Sequence, residues 1–395
     1  MPFVLLCIGL LVGRVQGAIR ERKYDDRIHT IFSAECNDYM DWQTLALVYS
    51  HRRVGQPGPI TRLLSCSTED LAKYNNLHLA PTHVVPSFKV HPDSGDWYPP
   101  YNKPLAIRHW LEFVRPKAEY IIILDTDMIF VEPIIPWELG ARRGRPTASH
   151  YNYLIGCDNE LAAMYTKNPH LCQKVGGTLL FHVEDLKQVA PLWLSITEDM
   201  RTNPKGWKYA HDSGDDSKPH WILEMYGYVF GAAEVGLIHH IRNDLNLQLF
   251  VGTETGGLVP KLLHYTLTIG AGNWAWDKAP YFARKLLGNC RLFEQPPDPA
   301  TLVEANENVR QGMIYMIDAM NVINAALEEY YEAVGCTPIG DWQEPSAEAK
   351  AKPATDERKL PPVSTRLWPG AQEAPKRMIC EGWACGFLPT AHTTS

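Results

Sequence analysis

The chain has 395 residues, 45% of them hydrophobic, with 38 basic side chains against 45 acidic ones and a formal net charge of −7. That is enough apolar material for a large core, as one big domain or one domain with appendages. An acidic balance without a long basic run argues against a nucleic-acid scaffold.

Residues 1–17 read as a targeting segment: an apolar stretch from Phe3 to Leu11, then Val15-Gln16-Gly17 with small residues before Ala18. The stretch is too short to span a bilayer. It lacks a leading Lys or Arg, so a short membrane anchor stays open beside cleavage, and no second hydrophobic span follows. The folded part is expected to begin at Arg27. A first strand is predicted over 28–32, and a helix opens over 41–47 with Asp41 as its N-cap. Gln56-Pro57-Gly58-Pro59 makes a turn, 60–65 a second strand, and 104–114 a helix after Pro99-Pro100. Strands alternating with helices predict an α/β sheet with parallel core strands.

The next element carries the functional argument. Tyr120-Ile121-Ile122-Ile123-Leu124 has the length and composition of a strand buried on both faces. Asp125-Thr126-Asp127 follows where it leaves the core, and Met128-Ile129-Phe130-Val131 resumes the apolar pattern. Ligands of open α/β sheets bind outside the carboxyl ends of strands. Two carboxylates at i and i+2 there can share one divalent cation; the alternative is a solvated turn or helix cap. Further on, residues 301–333 show helical apolar spacing through Val303, Val309, Met313, Ile317, Met320, Ile323 and Leu327. Residues 341–378 are rich in Pro, Ala, Glu and Lys and read as a flexible linker, before a short tail holding Cys380 and Cys385.

Of nine cysteines, Cys7 lies in the targeting segment. The other eight form no C-x-x-C pair, so a zinc ribbon is not expected. An even count in a secretory chain suggests disulfides, with buried free thiols as the alternative. Sequence alone does not fix the connectivity; the expected pairs are Cys36–Cys66, Cys157–Cys172 and Cys290–Cys336.

Several longer stretches add a resemblance. They include Gly55-Gln56-Pro57-Gly58-Pro59-Ile60-Thr61-Arg62-Leu63-Leu64-Ser65-Cys66, Gly95-Asp96-Trp97-Tyr98-Pro99, Gly156-Cys157-Asp158-Asn159, Lys174-Val175-Gly176-Gly177, Glu224-Met225-Tyr226-Gly227-Tyr228, His264-Tyr265 and Gly272-Asn273-Trp274. In these the chain resembles the plant and algal peptidyl serine α-galactosyltransferases, and more distantly the hydroxyproline O-arabinosyltransferases. The resemblance implies a GT-A-like, Rossmann-related fold: a mixed, mainly parallel sheet flanked by helices over 27–300, with a helical extension over 301–340. It departs in having Asp-Thr-Asp where relatives often have Asp-Ala-Asp, and in a tail without the membrane span of plant relatives.

What the resemblance implies chemically is retaining transfer of galactose from UDP-galactose to serine of hydroxyproline-rich polypeptides, in the ER or Golgi lumen. Transfer of another sugar, such as arabinose to hydroxyproline, and a catalytically silent sugar- or peptide-binding protein are the alternatives. Asp125, Asp127 and His264 are the expected ligands of Mn²⁺, or of Mg²⁺; mixed oxygen and imidazole ligation favours the former. His264 follows an apolar pair and could otherwise be a packed core residue. Lys278 and Lys103 are expected on the diphosphate or ribose, and Phe32, Ser33 and Thr126 around the nucleoside, although the Phe32 ring could be core. Asn159 and the backbone of Gly176 and Gly177 are expected to meet the donor sugar. Glu224 and Asp158 are the expected catalytic carboxylates. Trp97, Tyr98, Trp221 and Trp274 could offer stacking faces or be core.

Overall fold

The computed structural model describes residues 26–212 and 216–339, together with two short strands at 378–381 and 384–387. The expected targeting segment over 1–17 and most of the expected linker lie outside the described residues. Strand β1 (Ile28–Glu35) leads into helix α1 (Asp38–Arg53), β2 (Ile60–Cys66), α2 (Thr68–Leu71), β3 (Thr82–Pro86), α3 (Asn102–Phe113), β4 (Tyr120–Leu124) and β5 (Met128–Phe130). Then come β6 (Thr147–His150), α4 (Glu160–Tyr165), β7 (Val175–His182), α5 (Val183–Thr202), α6 (Leu223–Glu234), β8 (His240–Ile241), β9 (Asn246–Leu249) and β10 (Leu262–Tyr265). A hairpin of β11 (Thr268–Ala271) and β12 (Trp274–Asp277) precedes the long α7 (Glu307–Ala333).

Seven strands form one sheet in the order β3-β2-β1-β4-β7-β6-β8. The β3-β2-β1-β4 side is parallel throughout, and β7 runs antiparallel to both β4 and β6. The expected mixed, mainly parallel α/β architecture is present. The alternation of β4 shows why its sequence is apolar at every position. Ile121 and Ile123 enter the core under α3, α5 and α6, while Tyr120, Ile122 and Leu124 enter the opposite core with α1, β5 and β10. Strands covered by helices on both faces lose the polar half of the usual pattern. A second, three-stranded sheet pairs β10 antiparallel with β5 and parallel with β9. Helix α7 covers it and packs on α1, where Arg52 meets Glu329 at 2.6 Å.

Two boundaries differ from expectation. The N-cap of α1 is Asn37, whose Oδ1 accepts from the Met40 amide at 2.9 Å, and not Asp41. Asp41 is needed inside: it is buried, accepts from Asn76 at 2.7 Å and from the Tyr74 hydroxyl, and faces the buried Arg62. An ionic group at such depth is retained only when partnered. The C-terminal helix starts at Glu307 with Asn306 as its cap, so Val303 lies before it and is fully exposed. Ile317, Met320, Ile323 and Leu327 are buried as expected. All three expected disulfides are present; Cys36–Cys66 ties the end of β1 to the end of β2. No helix among the described residues is long and apolar enough to cross a membrane. Met378–Glu381 pairs antiparallel with Ala384–Phe387.

Candidate active site

The acidic pair lies in the turn between β4 and β5, at the carboxyl end of the central strand. Thr126 fixes that turn to the neighbouring strand, its hydroxyl donating to the Ser33 carbonyl at 2.7 Å. Strand β5 then pairs with β10 in a register that sets His264 opposite Met128, and the Tyr265 amide donates to the Asp127 carbonyl at 3.2 Å. This ladder brings a residue more than a hundred positions away to the carboxylate: His264 Nε2 stands 3.2 Å from Asp127 Oδ1. On the other oxygen, Lys278 Nζ donates to Asp127 Oδ2 at 2.6 Å and to the Tyr265 carbonyl at 3.1 Å. Lys278 is itself buried, delivered by the end of the β11–β12 hairpin.

Asp125 has a different cation. Lys103, in the first turn of α3, donates to its Oδ1 at 2.7 Å. Burial works against the Lys103 charge, but Asp125 and then Glu224 outweigh it and hold its pKa above the ordinary lysine value. Burial alone would likewise raise the Asp127 carboxyl; Lys278 and then His264 overcome this and hold it well below the usual carboxylate range. The same Asp127 charge outweighs the burial of His264 and raises its pKa. The site is therefore a neutralised quartet with an imidazole, closed by charge-assisted contacts.

Whether these groups suit a divalent cation depends on donor type and spacing. Cis ligands of an octahedral ion held at about 2.1 Å stand about 3 Å apart, close to the Asp127–His264 separation. The Nδ1 of His264 is buried with no partner among the described residues. Asp125 is turned to Lys103, and among the described residues no three His, Cys, Asp or Glu side chains stand close enough to hold a metal together. Asp127 and His264, two of the three expected ligands, thus stand together, and Asp125, the third, lies on the same turn.

Glu224 begins α6 from a buried position, and its Oε1 has no hydrogen-bond partner among the described residues. Burial pushes its pKa up to about 7 against the pull of Lys103, with Asp125 adding to the rise. A carboxyl raised in this way stabilises the fold while protonated, and that stability is lost as the pH rises through about 7. Glu224→Gln is expected to leave stability unchanged near pH 4 and to raise it by roughly 3 kcal/mol at pH 8. Denaturant melts at the two pH values check this; equal effects at both would contradict it.

The other expected residues lie in differing surroundings. Phe32 is fully buried in the core on the α1 side of the sheet, so its ring is not open to a base. The i, i+2 alternation that places Ser33 at the turn turns Phe32 inward. Asn159 caps α4, accepting from the Leu161 amide at 3.0 Å and donating to the Tyr209 carbonyl at 2.9 Å. Asp158 is exposed and paired with Lys174. Gly176 and Gly177 lie in β7 at an irregularity in its pairing with β6. Gly177 has φ +62° and faces the hydroxyl of Tyr151, a buried ring close enough to Asp125 for that charge to raise its pKa.

Four tyrosines around the acidic pair were not anticipated. Burial and then Asp127 raise the pKa of Tyr39 and Tyr265, while burial and then Asp125 raise that of Tyr151 and Tyr153. Tyr151 and Tyr153 follow the end of β6 two positions apart, a spacing that was visible in the sequence. Tyr39 gave only an isolated aromatic signal, and Tyr265 stood in the His264-Tyr265 stretch without a role of its own.

The α/β sheet thus gathers two carboxylates, an imidazole and two lysines at the carboxyl end of its central strand, which makes that strand end the candidate site. Comparison then gives the family. The chain belongs to the hydroxyproline O-arabinosyltransferase family, whose N-terminal domain matches residues 28–241. It is 45% identical over 358 residues to a peptidyl serine alpha-galactosyltransferase of Arabidopsis thaliana, covering 88% of this chain and 44% of that protein. The protein of the same name from Chlamydomonas reinhardtii is 33% identical, over 76% of this chain and 44% of its own length. A hydroxyproline O-arabinosyltransferase of Pisum sativum is 27% identical, over 70% of this chain and 85% of its own. The chain spans under half the length of the first two relatives. Among solved structures, the apo form of the bifunctional glycosyltransferase WbbM overlaps 62% of this chain and 46% of its own at a TM-score of 0.36, with 13% identity.

Proposed function

We propose that the chain is a retaining glycosyltransferase that moves galactose from UDP-galactose to serine hydroxyls of hydroxyproline-rich polypeptides in the ER or Golgi lumen. The observation that carries this reading is the convergence of His264 and Lys278 on Asp127, beside Lys103 on Asp125, in a chain related to peptidyl serine alpha-galactosyltransferases. The disulfides agree with an oxidising compartment.

The chemistry asks for charge control at the leaving group. As the sugar C1–O bond breaks, negative charge grows on the diphosphate. Mn²⁺, or Mg²⁺, held by Asp125, Asp127 and His264 would neutralise it as a Lewis acid. Lys278, fixed by Asp127 and the Tyr265 carbonyl, and Lys103, fixed by Asp125, offer point charges to the same phosphates without reorganising. Glu224 is poised between protonation states near neutrality. It can donate to a sugar hydroxyl when neutral or face a cationic C1 when ionised. The bond from C1 to serine Oγ forms on the face the phosphate leaves, and the serine proton passes to the departing phosphate oxygen.

Incubation of the purified chain with UDP-galactose, Mn²⁺ and a serine–hydroxyproline peptide should add one hexose, detected by mass spectrometry, and a chelator should suppress the reaction. The hydroxyproline O-arabinosyltransferase relatives favour one second reading, transfer of arabinose to hydroxyproline. In a parallel incubation with UDP-arabinose, a pentose adduct without any hexose adduct from UDP-galactose would establish that reading and overturn the first. UDP binding with no transfer from any UDP-sugar would indicate a silent binding protein.

A further inference from the structure

Two tryptophans beside the site remain in solvent, although burying an indole removes more apolar area from water than almost any other side chain. Trp97 and Trp221 are 61% and 60% exposed, with ring centroids 6.4 Å apart and planes inclined at 46°. Val90, bridged to Trp97 in an antiparallel pair, is also half exposed.

Their backbones are held firmly. Asp96, next to Trp97, takes a bidentate ion pair from the nearly buried Arg201 of α5 at 2.8 and 2.7 Å. The Arg201 guanidinium lies 4.1 Å over the Tyr98 ring, and Tyr98 packs edge-on against Trp221 at 5.6 Å. The Tyr98 hydroxyl donates to the Trp221 carbonyl and accepts from the Glu224 amide at 2.9 Å. One buried tyrosine thus ties the indole pair to Glu224, whose carboxyl lies within reach of the Lys103 and Asp125 charges.

We propose that Trp97 and Trp221 form the docking surface for the polypeptide acceptor and bind its proline- or hydroxyproline-rich flank as a polyproline II helix. Fixed exposed aromatics are the feature that recognises this conformation, because the ligand is already ordered and its ring faces pack flat on indoles. The 6.4 Å between the rings spans about two residues of such a helix at roughly 3.1 Å each. Tyr98, beneath this surface, couples it to the backbone of Glu224. The surface selects chains by backbone form and leaves the choice of reacting hydroxyl to the site.

The surface deepens the transferase reading and rests on it for the acceptor, so the test separates the two. Titration of the full chain with a serine-free hydroxyproline decapeptide, followed calorimetrically, is expected to show binding, and a Gly/Ser decapeptide none. Trp97→Ala and Trp221→Ala should each weaken that binding about tenfold, more than most interface side chains contribute, with unchanged melting temperature. In transfer assays the same variants should raise the peptide KM about tenfold, leaving kcat and the KM for UDP-galactose unchanged. Binding of the proline-rich peptide that ignores both substitutions, or no binding at all, overturns the proposal. So does capture of a galactose oligosaccharide in place of the peptide. Peptide binding without any transfer would leave the docking surface standing and overturn the transferase reading.

Discussion

Asp127→Asn is expected to cut sugar transfer about a thousandfold, the upper range for loss of one preorganised electrostatic group. The carboxylate is shared: one oxygen faces His264 Nε2 at 3.2 Å and the other takes the Lys278 ammonium at 2.6 Å. A neutral amide keeps the shape and removes the charge that holds both. The buried Lys278 is left without its counter-ion, at a cost of roughly 3 kcal/mol or more. Loss of stability and loss of turnover therefore arise together. Measuring transfer well below the lowered melting temperature separates them. Turnover within tenfold of the parent under those conditions would remove Asp127 from the chemistry.

Gly177→Ala carries the second large effect, through the backbone. A Cβ at this position would lie 1.9 Å from the Tyr151 hydroxyl and 2.6 Å from its ring carbon, at a φ of +62°. A left-handed conformation costs a side-chain-bearing residue about 1–2 kcal/mol, and overpacking adds roughly 1–3 kcal/mol. The ring cannot easily retreat, because Tyr151 is buried and its hydroxyl accepts from Asn246 at 3.3 Å. Gly176→Ala is the control, since its Cβ meets the far end of the unbranched Met225 side chain, Cε, at 2.6 Å and Tyr151 Cγ at an ordinary 3.9 Å. Melting curves should show a large drop for Gly177→Ala and a small one for Gly176→Ala. Equal curves would mean that Tyr151 is not held as described.

Strand β4 and its terminal carboxylates were legible because burial on both faces writes a continuous apolar run and leaves charge only where the strand ends. The partners of those carboxylates were less legible. Nothing local to His264 indicates that β10 pairs with β5, since strand register depends on neighbours distant in sequence. Lys278 and His264 were suggested by resemblance; the ladder explains how His264 arrives, and the β11–β12 hairpin how Lys278 does. Asn159 reads as a sugar ligand because an Asn that caps a helix and one that binds a hydroxyl present the same polar signature. Phe32 was ambiguous for a related reason. In a strand covered on both sides, apolar content does not reveal which face is closed. Asp41 suits a helix start by residue type, but Tyr74, Asn76 and the buried Arg62 of β2, none of them adjacent in sequence, hold it inside.

The β5–β10 ladder also sets the order in which the candidate site can be completed during synthesis. A nascent chain carries Asp125 and Asp127 long before His264 and Lys278 leave the ribosome. The family's N-terminal domain, at residues 28–241, holds the carboxylates and Lys103 but neither of those partners. Until the later strand adds to β5, Asp127 stands without the two groups that neutralise it. Completion of the charged quartet is thus delayed until residue 278 has emerged, and a chain released before that point would pair Asp125 with Lys103 but bear Asp127 uncompensated.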